Sequence, residues 1–371
     1  MNNVAVLVGS LTIGGAERVA VNLANGLADS GRETDLVVLK TQLELEPHVS
    51  SDVTLETLNA SRVRWSLPAI VRYLNKRQPS AVISVMTVEN ALTILAARLA
   101  RCQPKVIATE HSVRDDRPWK SVAFKGDFLL GKVFYRQTDE IVAASSSVAH
   151  DVASWANVPR EAISVIHNPV ELASADSDDE PPHRWFGTDE PVIVAAGRYT
   201  PEKDFRTLLR AFHEVRKTVG GRLIVLGDGK LRDELEAQVR DLSLEERVSL
   251  YGFVDDPYPY MEAADLFVLS SRSEGFGNVL VEAMSCGTPV VATNCGSGPV
   301  TILEDGRYGP LVPVGDASRM ADAMLETVSD PPAPELLRER AQDFSVETIV
   351  SQYLELIETE RVQQRVRRES S

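Results

Sequence analysis

The sequence predicts an α/β protein made of two doubly wound, parallel-sheet domains. Three observations predict it. Short Val- and Ile-rich runs alternate with longer stretches of helical periodicity; the runs are apolar at successive positions; and one irregular acidic stretch divides the alternation into two blocks. Strands this apolar are buried on both faces, which requires a parallel sheet with helices on each side.

The first block contains "VAVLVGS", "TDLVVLK", "AVISVM", "KVIATE", "EIVAAS" and "ISVIHN". The stretch "ELASADSDDEPPHRWFGTDE" follows, without periodicity. The second block contains "PVIVAAG", "RLIVLGDG", "VSLYGFV", "LFVLSS", "TPVVAT" and "GPLVPV". The domains are therefore placed at 1–172 and 191–345, with a linker at 173–190. A last helix at 346–371, "SVETIVSQYLELIETERVQQRVRRE", can cross back to the first domain; its basic end suits the negative end of the helix dipole.

With 371 residues, 43% hydrophobic and 25% charged, the chain is long enough for two domains. Cys102, Cys286 and Cys295 form no CxxC pair, and three cannot all pair internally, so a reducing, cytoplasmic compartment is expected. "MNNVAVLVGSLTIGG" lacks the basic start of a signal peptide, and "AVISVMTVENALTILAARLA" carries Glu89 and Asn90 in its middle, which argues against a bilayer span. The net charge of −15 is uneven: residues 1–172 hold 18 basic and 18 acidic side chains, so the second half carries the whole excess. Residues 62–136 hold 14 basic and 5 acidic side chains, which points to an anionic partner for that stretch, with scattered solvated charge as the alternative.

In open α/β sheets ligands sit beyond the carboxyl ends of the strands, so residues just after each strand are the candidates. After the first, Gly14 and Gly15 precede a helix starting near Ala16, a turn that can bring backbone N–H groups against a phosphate or sugar. The GxGxxG dinucleotide fingerprint is not matched, which argues against a nicotinamide dehydrogenase. After "KVIATE" comes His111, which can hydrogen-bond a sugar hydroxyl or serve only structurally. After "PVIVAAG" come Arg198 and Lys203, a planar donor fork and a compact charge suited to a diphosphate. After "LFVLSS" comes "SRSEGFGNVLVEAMSCGTPVVAT": Glu274 lies just before a helix start whose first N–H groups have no internal partner. Asn278, Glu282 and Ser285 form a polar stripe on that helix that faces either water or a ligand cleft. "DSD" at 176–178 reads as solvated charge, and no HExxH or clustered Cys/His ligands argue for a metal.

Taken together and in order, these features resemble the retaining nucleotide-sugar glycosyltransferases of family 4, the group 1 glycosyltransferases. The resemblance runs through "GGAE", "EH" after the fourth strand, "IHNPV", "GRYTPEKDF", "LGDGKLRDELE", "LYGFVDD" and the Glu274–Glu282 segment. It implies the GT-B architecture: two facing Rossmann-like domains with a cleft between them, the first binding acceptor and the second nucleotide sugar. Arg198 and Lys203 would then hold the donor diphosphate and Glu274 the donor sugar. The backbone around Phe276 and Gly277 would meet sugar or phosphate, and Glu282 the ribose hydroxyls. His111 would contact the sugar near its 6-hydroxyl, Gly14 and Gly15 the phosphate, and Gly227 and Phe253 the base. One departure lies after "VVAT": Ser297, Gly298 and Pro299, with Thr301 where the family often has an acid. The serine-glycine-proline form resembles the branch acting on polyprenyl-diphosphate-linked glycans.

The expected function is transfer of a sugar from a nucleoside-diphosphate sugar, UDP-sugar foremost, to an acceptor hydroxyl with retained configuration. The acceptor is expected to be a lipid-linked or cell-envelope glycan. No cofactor, metal or nucleic-acid partner is expected. An epimerase of the same fold or a non-catalytic nucleotide-sugar-binding subunit are the alternatives. Cations mixed with aromatics in "RVRWSLPAIVRYLNKR" and "HSVRDDRPWKSVAFKGDFLLGKVFYR" make Arg64, Trp65, Trp119 and Lys120 candidates for a lipid-linked acceptor or an anionic membrane surface at the inner face. Amphipathic helices packed on the first sheet are the competing account of those segments.

Overall fold

The computed structural model describes residues 3–113, 132–173 and 183–359. The chain divides into two compact units, Met1–Val170 with Val346–Ser371, and Glu171–Ser345.

The N-terminal unit runs β1 (Val4–Val8), α1 (Gly15–Asp29), β2 (Thr34–Val38), β3 (Val53–Thr57), α2 (Leu67–Arg77), β4 (Ala81–Val85), α3 (Thr87–Leu99), β5 (Lys105–Glu110), β6 (Glu140–Ala143), α4 (Ser146–Ala156) and β7 (Ile163–Val165). Its strands form one sheet in the order β3-β2-β1-β4-β5-β6-β7, every pair parallel. β1, β2 and β4 are buried along their whole length, as the unbroken apolar runs require. β3 was not expected. As an edge strand, "VTLET" is buried only at its first residue, so it carries no continuous apolar run. "KVIATE" is accordingly the fifth strand, not the fourth.

The C-terminal unit runs β8 (Val192–Ala196), α5 (Phe205–Val219), β9 (Arg222–Leu226), α6 (Arg232–Asp241), β10 (Val248–Gly252), α7 (Tyr258–Glu262), β11 (Leu266–Leu269), α8 (Asn278–Ser285), β12 (Val290–Thr293), α9 (Ser297–Ile302), β13 (Leu311–Val312), α10 (Ala317–Ser329) and α11 (Pro334–Gln342). The sheet order is β10-β9-β8-β11-β12-β13, again parallel. α5 shows how the pattern dictates packing. Phe205, Leu208, Leu209, Phe212 and Val215 fall on one helical face and are buried, and Gly220 ends the helix at positive φ. Residues 183–190 of the acidic stretch pack on this unit: Trp185 and Phe186 are buried, with Arg222 over the Trp185 ring and Phe186 edge-on to Tyr260.

α12 (Val346–Glu358) belongs to the N-terminal unit. Ile349, Val350 and Tyr353 are buried in the same cluster as α1. Gly26 permits the approach, since a Cβ there would lie 2.4 Å from Val346 Cγ1. Lys105 Nζ donates to the carbonyls of Leu356 and Thr359, a cation placed at the helix's negative end.

Each sheet has one place where the strand order reverses: between β1 and β4 in the N-terminal unit, and between β8 and β11 in the C-terminal unit. The loops after those strands diverge to opposite sides and leave a crevice, the usual seat of a ligand in such sheets.

Candidate active site

In the C-terminal unit the loops after β8 and β11 bring together two candidate groups 71 positions apart in the chain. Lys203 Nζ lies 2.6 Å from Glu274 Oε1, and Ser271 Oγ donates to the same oxygen at 2.6 Å. Ser270 Oγ donates to the Lys203 carbonyl at 2.8 Å, tying the end of β11 to the turn after β8. Arg272 Nη1 pairs with Asp204 Oδ2 at 3.0 Å, and its amide donates to the Glu202 carbonyl. Lys203 is thus aimed by its own backbone contacts, and its stem lies over Gly197, where a Cβ would meet Lys203 Cε at 3.1 Å. Arg198 is exposed and makes no ion pair among the described residues. One cation is held by a carboxylate, and the other is free to meet an anion.

The helix after this turn begins at Asn278 with Gly277 as its N-cap at φ +105°, and no side chain caps it. The positive end of its dipole therefore carries no side-chain cap. The Phe276 side chain is buried and packs edge-on to Phe344, centroids 5.4 Å apart. Only the backbone of Phe276 and Gly277 is offered to a ligand. Within the serine-glycine-proline segment Gly298 is required by packing, since a Cβ there would lie 2.2 Å from the Phe276 carbonyl oxygen. α9 also starts from a glycine, Gly296, without a side-chain cap.

Glu282 is only 7% exposed, and Ser285 on the same stripe is equally buried, accepting from the Ala173 amide and donating to the Glu282 carbonyl. The reading of that stripe as a face toward open water is overturned. An i, i+4, i+7 polar stripe has the same spacing whether it meets solvent or protein. Gly227, at φ +127°, is required by packing: a Cβ would lie 2.0 Å from the Gly197 carbonyl oxygen. Phe253 is exposed beyond β10, near exposed Tyr251. Cys295 has a thiol pushed up to about 11, first by burial and further by Glu274. Ser271 and Cys295 were not singled out from sequence; the serine doublet ending β11 was the available signal for the first.

In the N-terminal unit, α1 starts at Gly15 with Gly14 as an uncapped N-cap, and Gly15 faces open space. His111 has both ring nitrogens engaged, one with Thr109 Oγ1 and one with Asn168 Oδ1, each at 2.8 Å. Burial pushes its pKa down to about 4, and the Asn168 hydrogen bond offsets only part of that, so the ring is neutral near pH 7. Trp65 is 67% exposed and Arg64 is exposed beside it. Tyr73 and Tyr135, by contrast, are core residues: Tyr73 donates to buried Asp35, and Tyr135 to Glu110. The amphipathic-packing account therefore holds for these two aromatics. Trp119, Lys120 and "DSD" at 176–178 lie outside the described residues. Among the described residues no group of three His, Cys, Asp or Glu side chains could hold a metal ion, and no helix is long and apolar enough to cross a membrane.

Residues 13–174 match the Glycosyltransferase Family 4 model, and residues 190–330 match the model for Glycosyl transferases group 1. The lipopolysaccharide core biosynthesis glycosyltransferase LpsE of Rhizobium meliloti is 31% identical over 368 residues, covering 93% of this chain and 96% of that protein. The chain belongs to glycosyltransferase family 4. Within the family it is also similar to the N-acetylgalactosamine-N,N'-diacetylbacillosaminyl-diphospho-undecaprenol 4-alpha-N-acetylgalactosaminyltransferase of Campylobacter jejuni. The two are 29% identical over 203 residues, 55% of this chain and 54% of that one. The crystal structure of Anabaena HepE in complex with UDP and glucose superposes with a TM-score of 0.80 at 23% identity, covering 96% of this chain and 99% of HepE. The family 4 chain described here therefore has the GT-B fold and is a glycosyltransferase.

Proposed function

We propose that this enzyme transfers a sugar, with retained anomeric configuration, from a UDP-sugar to a hydroxyl of a lipid-linked or envelope glycan. The carrying observation is the Lys203–Glu274 pair in the turn that leads into the helix start at Gly277, which has no side-chain cap. The leaving diphosphate gains negative charge as the glycosidic bond breaks. Arg198, Lys203 and the helix amides meet that charge with preorganised donors, and no metal is needed in this reading. Glu274 holds Lys203 in place before the donor arrives and then accepts from a hydroxyl of the donor sugar. Glu282 accepts from the ribose, and exposed Phe253 lies against the base near Gly227. On the N-terminal unit, the turn at Gly15 admits an anionic oxygen once the Glu17 carboxylate beside Gly14 moves aside, and neutral His111 exchanges its Thr109 contact for a sugar hydroxyl.

The acceptor assignment draws on the Campylobacter relative, whose name specifies a diphospho-undecaprenol acceptor, and on the envelope role in the name of LpsE. Exposed Arg64 and Trp65 suit a lipid-linked acceptor at an anionic membrane surface. The test is the double variant Arg198→Ala with Lys203→Ala. Transfer is expected to fall by about a hundredfold or more while circular dichroism stays unchanged. Unaltered turnover in a folded double variant would overturn the assignment.

A further inference from the structure

Glu89 lies in the first turn of α3, at the place where the N-terminal sheet reverses its strand order. It is 9% exposed, and among the described residues no other residue hydrogen-bonds or pairs with its carboxylate; only its own backbone amide does. A buried carboxylate held only by its own amide is costly, and a helix start gives back less than about 2 kcal/mol. Its position is not accidental to packing. One carboxylate oxygen occupies the space a side chain on Gly9 would need, since a Cβ there would lie 2.2 Å from Glu89 Oε1, with Val63 Cγ2 at 3.7 Å. Gly9 follows β1 and Glu89 follows β4, the two strands that flank the reversal. The loops after β1, β3 and β4 present exposed Ile13, Trp65 and Met86. Met86 stands at φ +84° and ψ 150°, a conformation that side-chain-bearing residues rarely hold.

We propose that Glu89 is a binding residue for the acceptor, its carboxylate accepting from a hydroxyl of the incoming sugar beside Gly9. The inference rests on assigning the acceptor to the N-terminal unit. Exposed apolar side chains on the loops after β1, β3 and β4, with one buried acceptor group beside Gly9, suit a pyranose, which offers an apolar face and outward hydroxyls. The charged groups around Glu89 are Glu110 on β5, Lys40 after β2 and Glu17 on α1. Burial first, and then repulsion from Glu110, push its pKa up to about 7. The group therefore changes charge in the neutral range, which supplies a second readout.

The experiment uses the full chain, with UDP and the methyl α-glycosides of N-acetylgalactosamine, N-acetylglucosamine, glucose and galactose as probes. In saturation-transfer NMR with UDP present, at least one glycoside gives signal with the wild-type chain. Glu89→Ala and Glu89→Gln weaken that glycoside by about tenfold or more, while UDP affinity by calorimetry is kept. Glutamine is nearly isosteric, so Glu89→Gln tests the charge in a folded chain. Wild-type glycoside affinity rises as pH passes upward through about 7 and the carboxyl ionises, and Glu89→Gln removes that dependence. Unchanged glycoside affinity in both variants overturns the proposal, as does a wild-type chain that binds UDP but no glycoside. A chain that binds glycoside through Glu89 but no UDP overturns the donor reading alone.

Discussion

At the scale of single residues, Lys203 and Glu274 form an ion pair. In the free protein the carboxylate occupies the cation that the proposed reaction assigns to phosphate. Glu274→Gln removes the competing charge. Turnover is expected to fall by about a hundredfold or more while UDP affinity is kept or raised; parallel measurements of UDP release and calorimetric UDP binding check this, and an equal loss in both would assign Glu274 to ground-state binding. His111 offers a cleaner physical test. Its pKa is depressed to about 4, so the folded state takes up its proton later than the unfolded chain does as pH falls. The stability this provides is present above about pH 6.5 and is lost as pH falls towards the folded value. Imidazole resonances followed by NMR should show His111 uncharged at pH 5.5 or so; a midpoint near the ordinary histidine value would contradict the burial described. Lys203 and Glu274 were legible in the sequence because a charge following an apolar strand has few structural reasons to be there. The inward turn of Glu282 was not, because helical spacing alone does not say what a face meets. Ser271 was passed over for a related reason: the serine doublet after β11 takes on meaning only once Glu274 is placed beside it.

At the scale of elements, a side-chain cap is the exception among the described helices. α4 is capped by Ser145, which accepts from the Val148 amide, and α10 by Asp316, which accepts from the Arg319 amide. α1, α8 and α9 start from Gly14, Gly277 and Gly296, with no side-chain cap. α2, α3, α5, α6, α7 and α11 lack one too, so a missing cap does not by itself mark a ligand end. Two glycine variants separate ligand approach from packing. Gly15→Ala meets open space in the first helical position, so thermal stability is expected to hold or rise slightly while transfer falls. Gly227→Ala collides with the Gly197 carbonyl at positive φ, so urea denaturation should register a loss of about 2 kcal/mol or more. Twelve of the thirteen strands were readable as apolar runs. β3 escaped because an edge strand with one buried residue looks like a loop.

At the scale of the whole molecule, the fold class and the place of Arg198 and Lys203 after β8 could be read in advance because buried parallel strands and the groups after them share one repeating grammar. The N-terminal unit was less legible: Glu89 appears in sequence only as an interruption of an apolar helix, and its meaning depends on Gly9, eighty positions away. α12 completes the core of that unit. Tyr353→Ala is expected to cost about 3–5 kcal/mol, lowering the unfolding transition of the N-terminal unit in calorimetry and sparing that of the C-terminal unit; a uniform shift of both would show that the two melt as one. The same helix has a consequence for biosynthesis. The ribosome delivers residues 171–345 before it delivers α12, so the unit begun second is the first whose chain is whole. The nascent N-terminal sheet must wait with one apolar flank uncovered, a period in which chaperone engagement should be greatest and from which release should coincide with the emergence of Tyr353.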